Sequence, residues 1–118
     1  MLKKQRFGVE IEMTGITREK AAEVVAKVLN STPSAPKGSP YYTRTIKDSS
    51  RRSWKIMRDS SINEDVKKGR ACDEHKVEFV TPPLNYKDIE LLQNIVKELS
   101  NAGAFANSSC GIHIHVDG

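Results

Sequence analysis

Arg6-Phe7-Gly8-Val9-Glu10-Ile11-Glu12-Met13 is the stretch whose reading decides the fold. Side chains of an extended strand alternate between faces. Phe7, Val9, Ile11 and Met13 therefore point one way, and Glu10 and Glu12 the other. A strand with one apolar and one polar face fits an antiparallel sheet that covers a core on one side only. Cys110-Gly111-Ile112-His113-Ile114-His115-Val116-Asp117 repeats the pattern near the other end, with Ile112, Ile114 and Val116 opposing His113 and His115. Two carboxylates and two imidazoles on the polar faces of neighbouring strands would make a cation site.

Working outward, Thr17 can cap a helix over about 18–30 whose apolar stripe is Ala21, Val24, Val25, Val28 and Leu29. Residues 30–40 hold Pro33, Pro36, Gly38 and Pro40, which no helix or central strand would tolerate. Two short β-prone pieces, 41–46 and 54–58, flank a polar stretch and predict a hairpin. Residues 63–76 are charged and lack a period, as an exposed, mobile loop does. A strand over 77–81 is stopped by Pro82-Pro83. Asn85 with Asp88 resembles a capping box. It opens a helix over about 86–101 with Ile89, Leu92, Ile95, Val96 and Leu99 as its buried stripe, and Gly103 fits the position just past its end. The last strand runs from about Gly111 to Val116. This order, β-α-β-β-β-α-β, predicts an α+β fold: a mainly antiparallel sheet with two helices packed on one face.

The chain of 118 residues makes one domain. It stops just after the second ligand-bearing strand, so residues 1–118 are expected to be the N-terminal part of a longer domain. No apolar run approaches the ~20 residues of a membrane span, and Met1 to Arg6 lacks the apolar segment of a secretory signal. Two cysteines are too few for a disulfide framework, so a cytoplasmic location is expected. Net charge is +4, but the basic residues are scattered with few aromatics near them. That reads as a solvated surface, and no nucleic-acid partner is expected.

Glu78 repeats the acid-on-strand pattern, since Val77 and Phe79 face opposite to it. Glu10 and Glu12 lie about 6.6–7 Å apart at strand rise, close enough to share one cation or two adjacent ones. Carboxylates favour Mg²⁺ or Mn²⁺, and imidazoles shift preference toward Mn²⁺ or Zn²⁺. Other readings stay open. Cys110 could join His115 and a glutamate around Zn²⁺, or act as a nucleophile with His113 as base. As a small core residue beside Ile112, it does neither. Cys72 reads as an incidental thiol and His75 as a surface histidine. Trp54, Tyr41 and Tyr42 could stack on an adenine, with hairpin core packing the simpler role.

Phe7-Gly8-Val9-Glu10-Ile11-Glu12, Trp54-Lys55-Ile56-Met57-Arg58-Asp59-Ser60-Ser61-Ile62, Val77-Glu78-Phe79-Val80-Thr81-Pro82-Pro83-Leu84 and Cys110-Gly111-Ile112-His113-Ile114-His115-Val116, in this order, resemble the amidoligase family. Its members are related to glutamine synthetase and glutamate–cysteine ligase. The resemblance implies a portion of a glutamine synthetase-like catalytic domain and ATP-dependent joining of a small-molecule or peptide carboxylate to an amine. By the same resemblance Glu10, Glu12, Glu78 and His113 would be metal ligands for Mg²⁺ or Mn²⁺. Glu78 and Asp59 would serve catalysis by orienting substrate, and His113 and His115 would meet ATP. Asp59 matches the family's Asp-x-Ser segment, although a turn-capping aspartate is an equal account of it. The phosphate-binding arginines of such an enzyme have no counterpart here, so the chain is expected to bind a divalent ion weakly and turn over little ATP alone. Two alternatives remain: a non-catalytic sheet module that pairs with another chain, including a homodimer through the sheet edge, and a metal-dependent hydrolase.

Overall fold

The structure, a computed structural model, describes residues 5–62 and 73–117. The chain forms β1 (Arg6–Met13), α1 (Arg18–Leu29), β2 (Arg44–Lys47), β3 (Ser53–Met57), β4 (Val77–Val80), α2 (Ile89–Asn101) and β5 (Ile112–Asp117). Single 3₁₀ turns at Asp73–His75 and Tyr86–Asp88 precede β4 and α2. The strands make one sheet in the order β2-β3-β4-β1-β5, and every neighbouring pair is antiparallel. The α+β architecture expected from the alternation is therefore the one observed.

Both helices lie on the apolar face of the sheet. Val9 and Met13 of β1, Ile46, Trp54, Ile56, Val77 and Phe79 are buried there with Ala21, Ala22, Val25, Ile95 and Leu99 of the helices. Trp54 and Phe79 stack with ring centroids 6.0 Å apart at the centre of this layer. Trp54 brings a polar edge inside, and its indole N–H donates to Asp48 Oδ2 at 2.8 Å. Arg52 closes that corner, donating to Asp48 at 2.8 Å and to Asp88 at 2.8 and 3.1 Å.

The local signals account for the helix ends. The Thr17 hydroxyl accepts the Lys20 N–H, and Asn30 ends α1 in the left-handed region. Asn85 and Asp88 form the capping box, but the turn it opens is 3₁₀ before α2 becomes regular. Gly103 follows α2 at φ +114°, where a side chain would be strained.

Three expectations need correction. Tyr41 and Tyr42 do not pack into the core; they are exposed, because the chain is still turning at Tyr42 (φ 48°) and β2 begins only at Arg44. Ile89 and Val96, placed on the buried stripe of α2, lie on its exposed flank, since the sheet takes up only the Ile95–Leu99 side. Residues 73–75, read as loop, form a 3₁₀ turn; residues 63–72, including Cys72, lie outside the described residues.

Candidate metal and ligand site

The face of the sheet opposite the helices carries the polar residues, and strand register decides which of them meet. Glu12 on β1 stands directly opposite Glu78 on β4. Glu10 stands opposite Val80 on one side and His113 of β5 on the other. Lys55 continues that transverse row on β3, opposite Val80. The period-2 pattern therefore gathers onto one surface four of the residues singled out from the sequence.

Asp59 joins them from a turn. It follows the end of β3 by two residues, and its Oδ1 accepts the Ser61 N–H at 2.9 Å and the Ser61 hydroxyl at 2.7 Å. The turn-capping role of Asp59 is therefore seen in the structure. Carboxylate oxygens of Glu12, Asp59 and Glu78 all lie within 4.8 Å of one another. Glu12 also fixes the start of β5, because its Oε1 accepts the Gly111 N–H at 2.8 Å.

The histidines divide. His115 Nε2 lies 2.9 Å from Glu10 Oε2 at an exposed edge of the site. His113, opposite Glu10 in register, also favours the ionised form of Glu12. A Cβ at Gly111 would sit 3.5 Å from Glu12 Oε1 and 3.6 Å from His113 Nε2, so the two groups share one neighbourhood. Glu10 thus joins His115 on one side and borders Glu78 on the other. Cys110 keeps its thiol toward Asn107 Oδ1, at 3.5 Å.

Electrostatics at the acidic group are set by crowding. Burial, with Glu10 and Asp59 close by, pushes the Glu78 carboxyl up to about 8. Burial and then Asp59 raise Glu12, against the Gly111 N–H and His113. Burial acts upward on Asp59 as well, but the Ser61 hydrogen bonds, with those to Glu12 and Glu78, hold it at about 2. Three carboxylates this close resist being ionised together, and hard oxygen donors so placed suit Mg²⁺ or Mn²⁺. By donor type, then, Glu12, Asp59 and Glu78 are fit to hold such an ion.

Comparison with known families bears on what such a surface belongs to. The family model described as "Putative amidoligase enzyme" matches residues 3–118, almost the whole chain. The chain belongs to the amidoligase family. No curated protein and no solved structure matches it significantly. Membership in a family of amidoligases connects the chain with ligase chemistry. Among the described residues of this amidoligase, no helix is long and apolar enough to cross a membrane.

Sequence reasoning singled out Glu12, Asp59 and Glu78, the three carboxylates that the structure brings together, along with Glu10 beside them. It missed Ser61 as the group that aims Asp59, and Lys55 as a cation in the Glu10 row. Lys55 was legible in principle, since Trp54 and Ile56 face the core and set its parity.

Proposed function

We propose that this amidoligase is an ATP-dependent carboxylate–amine ligase of glutamine synthetase-like type, and that these residues carry the metal-binding half of its site. The observation that carries the reading is the convergence of Glu12, Asp59 and Glu78 within 4.8 Å, from β1, a turn and β4. Family membership makes that convergence meaningful, because amide formation from a carboxylate needs an activating step.

In such a reaction a substrate carboxylate oxygen attacks the γ-phosphorus of ATP. The bond from that phosphorus to the β–γ bridging oxygen breaks, releasing ADP and leaving an acyl phosphate. An amine nitrogen then attacks the acyl carbon, the carbon–oxygen bond to phosphate breaks, and the nitrogen gives up a proton. A divalent ion held by Glu12, Asp59 and Glu78 would neutralise charge on the phosphate oxygens. The residues of the chain orient and balance. Asp59, aimed by Ser61, and Glu78, beside Glu10, face the place where the substrates would meet. His113 and His115 border it on β5, in position to meet phosphate oxygens as hydrogen-bond donors. The carboxylate and amine partners are small molecules or peptides.

The test has two arms. Mn²⁺ titration should show binding that Glu12→Gln and Glu78→Gln each weaken. ADP release by the enzyme should require an added amine as well as a carboxylate. ADP release indifferent to the amine would favour a metal-dependent hydrolase, and binding of Mn²⁺ indifferent to both substitutions would sink the assignment of the site.

A second reading, a sheet module that pairs edge to edge with a second copy, is favoured by one observation. Ile112, Ile114 and Val116 of β5 are 67%, 63% and 62% exposed, and among the described residues no strand pairs with the outer edge of β5. Sedimentation of the purified chain decides it: a dimer that Ile114→Lys dissociates supports pairing, and a monomer at all concentrations excludes it.

A further inference from the structure

Asp59 reaches the acidic group from a turn, so something must hold that turn against β4. The turn is internally set by Ser61 and by the Ile62 N–H, which donates to the Asp59 carbonyl at 3.2 Å above a fully buried Ile62 side chain. β3 enters that turn alongside β4, with Met57 opposite Glu78. A second tie, to the turn that precedes β4, runs through the residue before Asp59. Arg58 Nε donates to both carboxylate oxygens of Asp73 at 2.9 Å. Asp73 is also gripped by Arg18 of α1, through its backbone carbonyl at 2.6 Å and its Oδ2 at 3.3 Å. The same Arg18 donates to the Lys76 carbonyl at 3.1 Å, two residues before Glu78.

Arg18 is only 5% exposed, and its guanidinium carbon lies 5.5 Å from the centroid of the Tyr42 ring. The residue before Tyr42 closes the circuit, since the Tyr41 carbonyl accepts the Arg58 N–H at 2.8 Å. A single aspartate therefore ties the approach to Asp59, the approach to Glu78 and helix α1 into one unit. Ionic contacts with a largely buried guanidinium are poor sources of net stability but fix geometry tightly. A group of three mutually repelling carboxylates is a place where fixed geometry matters.

We propose that Arg58, Asp73 and Arg18 form a positioning network that holds Asp59 and Glu78 at ion-binding separation. The network touches no ligand; Arg58 acts through Asp59. This inference rests on the reading of Glu12, Asp59 and Glu78 as a divalent-ion site. Supporting groups behind metal ligands change affinity by about 10–100-fold when removed.

The experiment is Mn²⁺ titration followed by the electron paramagnetic resonance signal of the free ion, at a temperature well below the unfolding midpoint of every variant. Arg58→Gln should weaken binding about tenfold, with Asp73→Asn, at the other end of the same contact, doing likewise. Arg58→Lys, which keeps the charge, should recover most of the affinity. In an Asp59→Asn background, Arg58→Gln should cause no further loss. Wild-type affinity in both Arg58→Gln and Asp73→Asn, or an undiminished further loss on adding Arg58→Gln to Asp59→Asn, overturns the network while leaving the ion site standing. Absence of Mn²⁺ binding by the wild-type protein overturns the site and the network together.

Discussion

Glu12 and Glu78 are direct cross-strand partners on β1 and β4, two carboxylates where a sheet built only for stability would pair a carboxylate with a cation. Like charges placed directly opposite are destabilising. The surface that would bind an ion is therefore held together at the expense of the metal-free fold. Glu12→Gln keeps an oxygen for the Gly111 N–H while removing the charge. Above about pH 8, where the Glu78 carboxyl is ionised, it is expected to raise metal-free stability by about 0.2–1 kcal/mol. Denaturant titration in the presence of a chelator checks this, and lower stability in the variant would contradict it.

Part of the acid sensitivity should come from the other side of the sheet. Asp48 sits below its usual carboxylate value even though burial opposes this, because Trp54 and Arg52 donate hydrogen bonds to it. Asp88 is lowered chiefly by its hydrogen bonds from Arg52. A depressed carboxylate contributes stability above its unfolded value and loses it as pH falls through the folded value. Arg52→Gln should thus cost about 1.5–3 kcal/mol near neutral pH. Its gap from wild type should close below the ordinary aspartate value of about 3.8. Urea midpoints measured at pH 7, 5 and 3 give the comparison.

Gly15 has φ +82°, and a Cβ there would lie 2.5 Å from the Gly103 carbonyl oxygen and 2.4 Å from Phe105 Cε1. The Phe105 ring, on the surface, can swing away, but the carbonyl is backbone. Gly15→Ala should cost of order 1–3 kcal/mol for the conformation alone, with a further penalty for separating the two loops. Thermal unfolding within about 0.5 kcal/mol of wild type would show that the 103–105 loop yields freely.

Core and edge should respond oppositely. Trp54→Ala removes a fully buried ring stacked on Phe79 and should cost about 3–5 kcal/mol. Ile114→Thr, at an exposed position of β5, should stay within about 0.5 kcal/mol in the monomer. A large loss from Ile114→Thr at low protein concentration would mean that the apolar side of β5 is covered after all.

Much of this molecule was readable because its strands obey strict alternation. Val9, Met13, Trp54, Ile56, Val77 and Phe79 could be sorted by parity alone, and the sheet follows that sorting. Glu12 and Glu78 were readable for the same reason, although only register made them partners. Asp59 obeys no period, since a turn aims it, and the resemblance rather than alternation brought it forward. The Arg18–Asp73 and Arg58–Asp73 contacts join residues 55 and 15 positions apart, and neither basic residue differs in the sequence from a solvated surface cation. The tyrosines went astray because a short β-prone run does not say where its turn ends. Ile89 and Val96 did so because a helix stripe can be wider than the surface beneath it.

Returning to β5, its three apolar side chains stay largely in water, and among the described residues it is held along one edge alone, by β1. Burial is what makes an element slow to open. The candidate site is therefore mechanically uneven: Glu12, Asp59 and Glu78 stand on elements anchored by the Trp54–Phe79 layer, whereas His113 and His115 ride on the element most ready to fray. Amide hydrogens of residues 113–116 should exchange with solvent well before those of residues 77–80. A ligand that engages both histidines would then act as a clasp, and part of its binding free energy would be spent closing the sheet.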